Sequence, residues 1–247
     1  MPPFTTDLII PAVNEAENLP ALARALAPLL ASGTIRRVVL ADNGSTDATP
    51  DLARDAGLTV VREPRRGYGN ACLAGLAELA ADPPDAVAFL DADLADDPAG
   101  LPGLIAPIAD GAADLVLGQR RRLAEPGALD PHQAFGNWLA CTLLRVTTSR
   151  RYRDLGPLRV VRWRSLATLD MCDPTWGWTV EMQYKAARQG LRIEEIDVPY
   201  RKRHAGKSKI SGSLIGSARA GTKIIAVLTK LWWTTPRREA SGVVERG

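Results

Sequence analysis

The sequence predicts an α/β fold, a mostly parallel central sheet flanked by helices, on two observations. Short apolar runs alternate with amphipathic segments of helical length through residues 7–118, the pattern of a parallel sheet covered on both faces. Acidic and amide residues follow those runs: Asn14 and Glu15, then Asp42, then Asp91 and Asp93. The carboxyl ends of several strands would therefore face one crevice, where open α/β sheets bind ligands.

Residues 7–13 read as a first buried strand, ended by Pro11. Residues 14–20 open a helix that runs to about Ala31 and stops at Ser32-Gly33. A second strand covers 37–41, and 42–47 turn into another helix. A short third strand at 59–62 leads through the glycine-rich stretch 65–70 to a helix over 71–81. The apolar run 86–90 then delivers Asp91 and Asp93, with Asp96 placed to cap the turn at Asp97-Pro98. A helix over 101–109 and a strand over 115–118 follow. The second half is less regular, with helices at 133–147, 164–169 and 179–189, and strands at 158–162 and 191–200. From Arg201 to Arg238 every formal charge is positive.

A chain of 247 residues suits one large α/β domain. Its apolar share of 46% and charged share of 24% are ordinary for a soluble globular protein. A net charge of +3 gives no ground for a nucleic-acid partner. Three cysteines without metal spacing point to a reduced, cytoplasmic setting. The N-terminus lacks the charged start and apolar core of a signal peptide. No run of about 18 apolar residues predicts a membrane span.

Neither histidine stands in a nucleophile motif, and there is no Walker A sequence. The stretch Gly67-Tyr68-Gly69-Asn70 lacks the third glycine of a dinucleotide fingerprint and reads as a helix-entry loop. The chemistry therefore rests on Asp91 and Asp93. Carboxylates two residues apart at a strand end supply hard oxygen ligands to a divalent cation, once the chain leaves strictly extended geometry.

Five stretches stand out in order along the chain. They are Ile10-Pro-Ala-Val-Asn-Glu-Ala-Glu-Asn-Leu19, Ala41-Asp-Asn-Gly-Ser-Thr-Asp47, Leu90-Asp-Ala-Asp-Leu94, Trp178-Thr-Val-Glu-Met-Gln-Tyr-Lys-Ala-Ala187 and Lys202-Arg-His-Ala-Gly-Lys-Ser-Lys209. In their order and spacing they resemble family 2 glycosyltransferases, and over residues 7–212 the chain resembles the catalytic domain of dolichyl-phosphate mannose synthases and bacterial polyprenyl-phosphate glycosyltransferases. The resemblance implies the GT-A fold, a nucleotide-sugar donor and Mg2+ or Mn2+. It implies a catalytic domain over 1–212 and a basic amphipathic helix with a flexible tail over 213–247.

The resemblance also implies roles. Pro11, Ala12 and Glu15 would line the base and ribose pocket, and Asn14 and Glu15 could at the same time cap a helix. Asp42 would bond the base edge, or else form a turn. Asp91 would contact ribose or metal, and Asp93 would ligate the metal. Glu181 would face the acceptor as a general base, or else be an acidic residue favoured at a helix start. Arg203, Ser208 and Lys209 would close over the diphosphate. Two departures stand out: Ala95 occupies a place where the mannose synthases often carry a Gln ligand, for which Asp96 is a substitute candidate, and Asp154–Arg159 matches the family's Gly-Phe-Arg segment only loosely.

The implied acceptor is a lipid phosphate. Residues 214–233 have helical periodicity, with Leu214, Ala218, Gly221, Ile225, Leu228 and Trp232 on one side and Arg219, Lys223 and Lys230 on the other. Such a helix either packs on the core or lies in the plane of a membrane, which would put the protein at the inner membrane face. Two rivals share parts of the pattern. A nucleotidyltransferase would carry a glycine-rich loop with Lys after the first strand, where this chain has Pro11-Ala-Val-Asn-Glu15. A catalytically silent nucleotide- or membrane-binding module would fit Ala95 but not the intact aspartate pair.

Overall fold

The computed structural model describes residues 3–129, 131–206 and 214–234, with backbone alone for residue 132 and for 214–223. Ser208 and Lys209, and the tail assigned beyond residue 234, lie outside the described residues. The strands are β1 (Thr6–Ala12), β2 (Arg37–Asp42), β3 (Thr59–Arg62), β4 (Ala86–Phe89), β5 (Leu115–Gln119), β6 (Arg159–Arg162) and β7 (Ile193–Asp197). The helices are α1 (Leu19–Ala31), α2 (Thr49–Asp55), α3 (Tyr68–Leu79), α4 (Leu101–Ala109), α5 (Pro131–Thr148), α6 (Trp163–Leu169), α7 (Gly177–Arg188) and α8 (Leu214–Thr234).

The strands form one sheet in the order β3-β2-β1-β4-β6-β5-β7. Pairing is parallel except at β6, which runs antiparallel to both β4 and β5. The side-chain alternation of each strand splits the core in two. Leu8 and Ile10 of β1 and Ala86 and Ala88 of β4 join one cluster, with Leu22, Leu26, Leu104 and Ile108 of α1 and α4. Ile9, Val87 and Phe89 join the other, with Cys72 of α3 and Trp178, Met182 and Tyr184 of α7. The strand order reverses between β1 and β4, so their carboxyl ends open a crevice at the topological switch point.

Helix α8 packs on α5 and α7. Its Val227, Leu228 and Leu231 are buried in the second cluster, while Ile225, Trp232 and Trp233 are exposed. The buried seam is rotated from the predicted stripe: Leu228 is inside, but Ile225 and Trp232 are not. Among the described residues, no helix is long and apolar enough to cross a membrane.

Two expected helix starts differ. Helix α1 begins at Leu19, so Asn14 and Glu15 do not cap it. Asn14 adopts a left-handed φ of 51° and latches the β1 loop to the β2 loop. Its Oδ1 accepts the Thr46 N–H at 2.8 Å, and its own N–H donates to Ser45 Oγ at 2.9 Å. The cap before the turn Pro98–Gly100 is Asp97, whose Oδ1 accepts the Ala99 N–H at 3.0 Å; Asp96 is buried instead.

Candidate active site

At the switch point a cavity of about 210 Å³ is lined by Pro11, Ala12, Val13 and Glu15 after β1, and by Asn43 after β2. Tyr68 and Ala71 of α3, Asp91 to Asp93 after β4, Trp176 and Arg203 complete it. Six of the predicted residues thus meet there: Pro11, Ala12, Glu15, Asp91, Asp93 and Arg203. β4 ends at Phe89, and the chain turns sharply, with Leu94 at a left-handed φ of 59°. That departure from extended geometry lets both carboxylates approach the same space. A bulky residue in the left-handed region is strained, which marks the turn as held by its surroundings.

What holds it is the basic segment 200–205, laid across the aspartates. Tyr200 bridges Asp96, the Arg201 N–H donates to the Ala95 carbonyl at 2.8 Å, and the His204 N–H donates to the Asp93 carbonyl at 3.0 Å. Arg203 Nη1 sits 2.9 Å from Asp93 Oδ2, and Arg201 Nη2 3.0 Å from Asp97 Oδ2. The other Asp93 oxygen accepts the Ala95 N–H at 3.0 Å.

The electrostatics are those of crowded, desolvated carboxylates. Burial, followed by the negative charge of Asp93, pushes the Asp91 carboxyl up to about 7, against the pull of Arg203 and Arg120. Burial pushes Asp96 to about 8, with Arg120 opposing and Asp91 and Asp93 adding to the rise. Asp91 Oδ1 and Asp96 Oδ1 are enclosed and have no hydrogen-bond partner among the described residues. An enclosed carboxylate oxygen without a donor is costly unless a cation meets it. Asp91 and Asp93, both hard oxygen donors, therefore fit a divalent metal.

Two predicted residues, Asp42 and Glu181, stand apart. Asp42 does not line the cavity: it is fully buried and its Oδ1 accepts the Ser45 N–H at 2.9 Å, the turn-forming role. Its neighbour Asn43 lines the cavity instead, donating to the carbonyls of Glu63 and Arg65 and accepting the Gly67 N–H at 2.7 Å. Glu181 is 1% exposed and does not line the cavity either. Its carboxylate accepts the Asp173 N–H at 2.7 Å and the Cys172 N–H at 3.1 Å, and pairs with Lys185 Nζ at 2.8 Å. It ties down the loop that carries Trp176, and a general-base geometry is not what the structure presents. Arg159 is likewise buried, donating to the carbonyls of Pro157 and Thr179.

Tyr68, Asn43 and Trp176 were not predicted. The signals were the glycines around Tyr68 and the Trp176-Gly-Trp178 run. Gly69 donates to the Thr175 carbonyl at 3.2 Å, and a Cβ there would stand 1.8 Å from the Asp173 carbonyl oxygen. Only glycine lets the loop carrying Trp176 close on α3.

A parallel sheet with one inserted antiparallel strand and an aspartate pair at its switch point belongs to the GT-A class of α/β enzymes. Within that class the chain is a member of glycosyl transferase family 2, whose model matches residues 7–170. An uncharacterized glycosyltransferase of Mycobacterium tuberculosis is 41% identical over 222 residues, covering 90% of this chain and 94% of that protein. The undecaprenyl-phosphate mannosyltransferase of Micrococcus luteus is 29% identical over 224 residues, covering 85% of this chain and 89% of that protein. Glucosyl-3-phosphoglycerate synthase of M. tuberculosis, solved with Mn2+, UDP and phosphoglyceric acid, superposes with a TM-score of 0.73 at 23% identity, over 94% of this chain and 80% of that one. At that identity the superposition speaks for the fold alone. The chain is a glycosyltransferase, as the aspartate pair and ordered motifs led us to expect.

Proposed function

We propose that this glycosyltransferase moves a sugar from a UDP- or GDP-sugar to a lipid phosphate, with inversion at the anomeric carbon. The observation that carries the donor half is the meeting of Pro11, Ala12, Glu15, Asp91, Asp93 and Arg203 in one cavity, with Asp91 Oδ1 left unpartnered. Mg2+ or Mn2+ held by Asp91 and Asp93 would neutralise charge on the departing nucleoside diphosphate. Pro11, Ala12 and Glu15 line the nucleoside end, and Tyr68 and Trp176 wall the cavity and exclude water. Arg203 exchanges its pairing with Asp93 for the diphosphate. Ser208 and Lys209 follow it in sequence and would add a hydroxyl donor and a further positive charge. Alignment of acceptor oxygen and anomeric carbon, with charge stabilisation of the leaving group, supplies most of the rate.

The acceptor half is supported by the similarity to a polyprenyl-phosphate mannosyltransferase and by the state of Glu181. A phosphate is already an anion and needs no base, so Glu181 acts by holding the Trp176 loop. Exposed Ile225, Trp232 and Trp233 on α8 suit peripheral contact with an anionic membrane. A melting-temperature panel of UDP and GDP with and without Mn2+ tests the donor half. One nucleotide should raise the melting temperature only with metal, since a ligand of the native state stabilises it. No response to either nucleotide would contradict the proposal.

A further inference from the structure

A second concave surface lies apart from the switch-point cavity, at the β5–β7 end of the sheet. It is a groove of about 570 Å³ walled by Arg121, Arg122, Arg145, Arg151 and Arg153. The arginines come from three segments: the chain after β5, α5, and the loop between α5 and β6. Two carboxylates at the end of β7 fix part of this set. Asp197 pairs with Arg122 at 3.1 Å, and Glu195 accepts the Arg153 N–H at 2.8 Å. The guanidinium groups of Arg121, Arg145 and Arg151 make no hydrogen bond or ion pair among the described residues. Five guanidinium groups against two carboxylates leave a surplus of three positive charges around one concavity.

The groove has an apolar end. Trp138 lines it, and Phe135 packs on Trp138 with ring centroids 5.7 Å apart. These two side chains are 54% and 61% exposed, a large share for aromatic rings. Trp138 and Arg145 lie on one face of α5, seven residues and so about 10 Å apart along its axis. The groove therefore offers guanidinium forks at one end, which match phosphate oxygens, and aromatic surface at the other.

We propose that this groove binds the phosphate head of a lipid, with the head among Arg121, Arg145 and Arg151 and the chain leaving over Trp138 and Phe135. The assignment rests on the lipid-phosphate reading of the acceptor, and the groove shares no lining residue with the nucleotide cavity. The test uses the full chain with phosphatidylcholine vesicles with and without phosphatidic acid, whose head is a phosphate monoester. The wild type should bind the vesicles with phosphatidic acid more tightly. The double variant Arg145→Gln, Arg151→Gln should lose about tenfold or more of that gain, the size of one lost charge-assisted hydrogen bond. Lys230→Gln on α8 should change it far less. UDP binding with Mn2+, measured on the same variants, should stay at the wild-type value, which separates a failed groove from a failed donor site. Equal vesicle binding by wild type and double variant overturns the proposal. So does glycerol 3-phosphate binding through Arg145 and Arg151 as tightly as the vesicles, since the groove would then serve a soluble phosphate.

Discussion

Replacing Glu181 with Gln distinguishes a residue that reacts from one that positions. The carboxylate is buried, receives two backbone N–H groups and faces Lys185 Nζ at 2.8 Å, with the Lys185 side chain only 10% exposed. Gln keeps the volume but removes the charge and turns one acceptor oxygen into a donor. Breaking one partner of a buried ion pair costs about 3–5 kcal/mol, because the remaining charge stays desolvated. With a urea m-value of about 3 kcal/mol/M, the unfolding midpoint should fall by roughly 1–1.7 M. Tryptophan fluorescence during urea titration gives the midpoint, and calorimetric titration with UDP and Mn2+ on the folded variant gives donor affinity. The loop carrying Trp176 should loosen, so donor affinity should fall together with stability. An unchanged midpoint and donor affinity alongside lost transfer would refute this account and return Glu181 to the chemistry.

Three further outcomes follow from the same geometry. Arg203→Ala should weaken UDP by about tenfold or more and uridine little, since a charge-assisted contact to phosphate is worth about 1.5–3 kcal/mol; equal losses would place Arg203 away from the diphosphate. Gly69→Ala forces a Cβ to within 1.8 Å of the Asp173 carbonyl oxygen, so it should lower the melting temperature and weaken UDP; wild-type behaviour in both would mean the loop has room to move. Asp91 and Asp96 have folded pKa values raised to about 7 and about 8, so the folded state holds protons that the unfolded state lacks. Their contribution to stability in EDTA is full below the unfolded value of about 4 and lost as pH rises toward about 8. Asp96→Asn should flatten that decline, and urea midpoints across the range would expose a failure to do so.

The strands, helices and crevice were legible because each rests on local pattern. The alternation in β1 and β4 fixes which side chains enter which cluster, and the apolar runs end where the acidic residues begin. What the sequence obscured depends on packing between distant segments. Asp42 and Asn43 are adjacent, and only the pairing of the β2 loop with Glu63, Arg65 and Gly67 decides that Asn43 reaches the cavity. Glu181 has the local signature of a helix-start acid, but its partners Cys172, Asp173 and Lys185 flank it on both sides and consume its oxygens. Asp96 and Asp97 compete for one cap; Asp96 is buried and bridges Tyr200, and Asp97 takes the cap. On α8, the seam follows contact with α5 and α7, which periodicity alone could not orient.

The central claim is that Asp91 and Asp93 join metal to nucleotide in one site. Calorimetric titration of UDP and GDP into the wild type and Asp93→Ala, each with Mn2+ and with EDTA, tests it most directly. Asp93 is buried and pairs with Arg203, so its replacement should lower the unfolding midpoint, and binding is measured on the folded variant. The account predicts binding of one nucleotide by the wild type that needs Mn2+, and loss of that metal dependence in Asp93→Ala. Nucleotide binding that is equally tight in Mn2+ and EDTA, or unchanged in a folded Asp93→Ala, would contradict it.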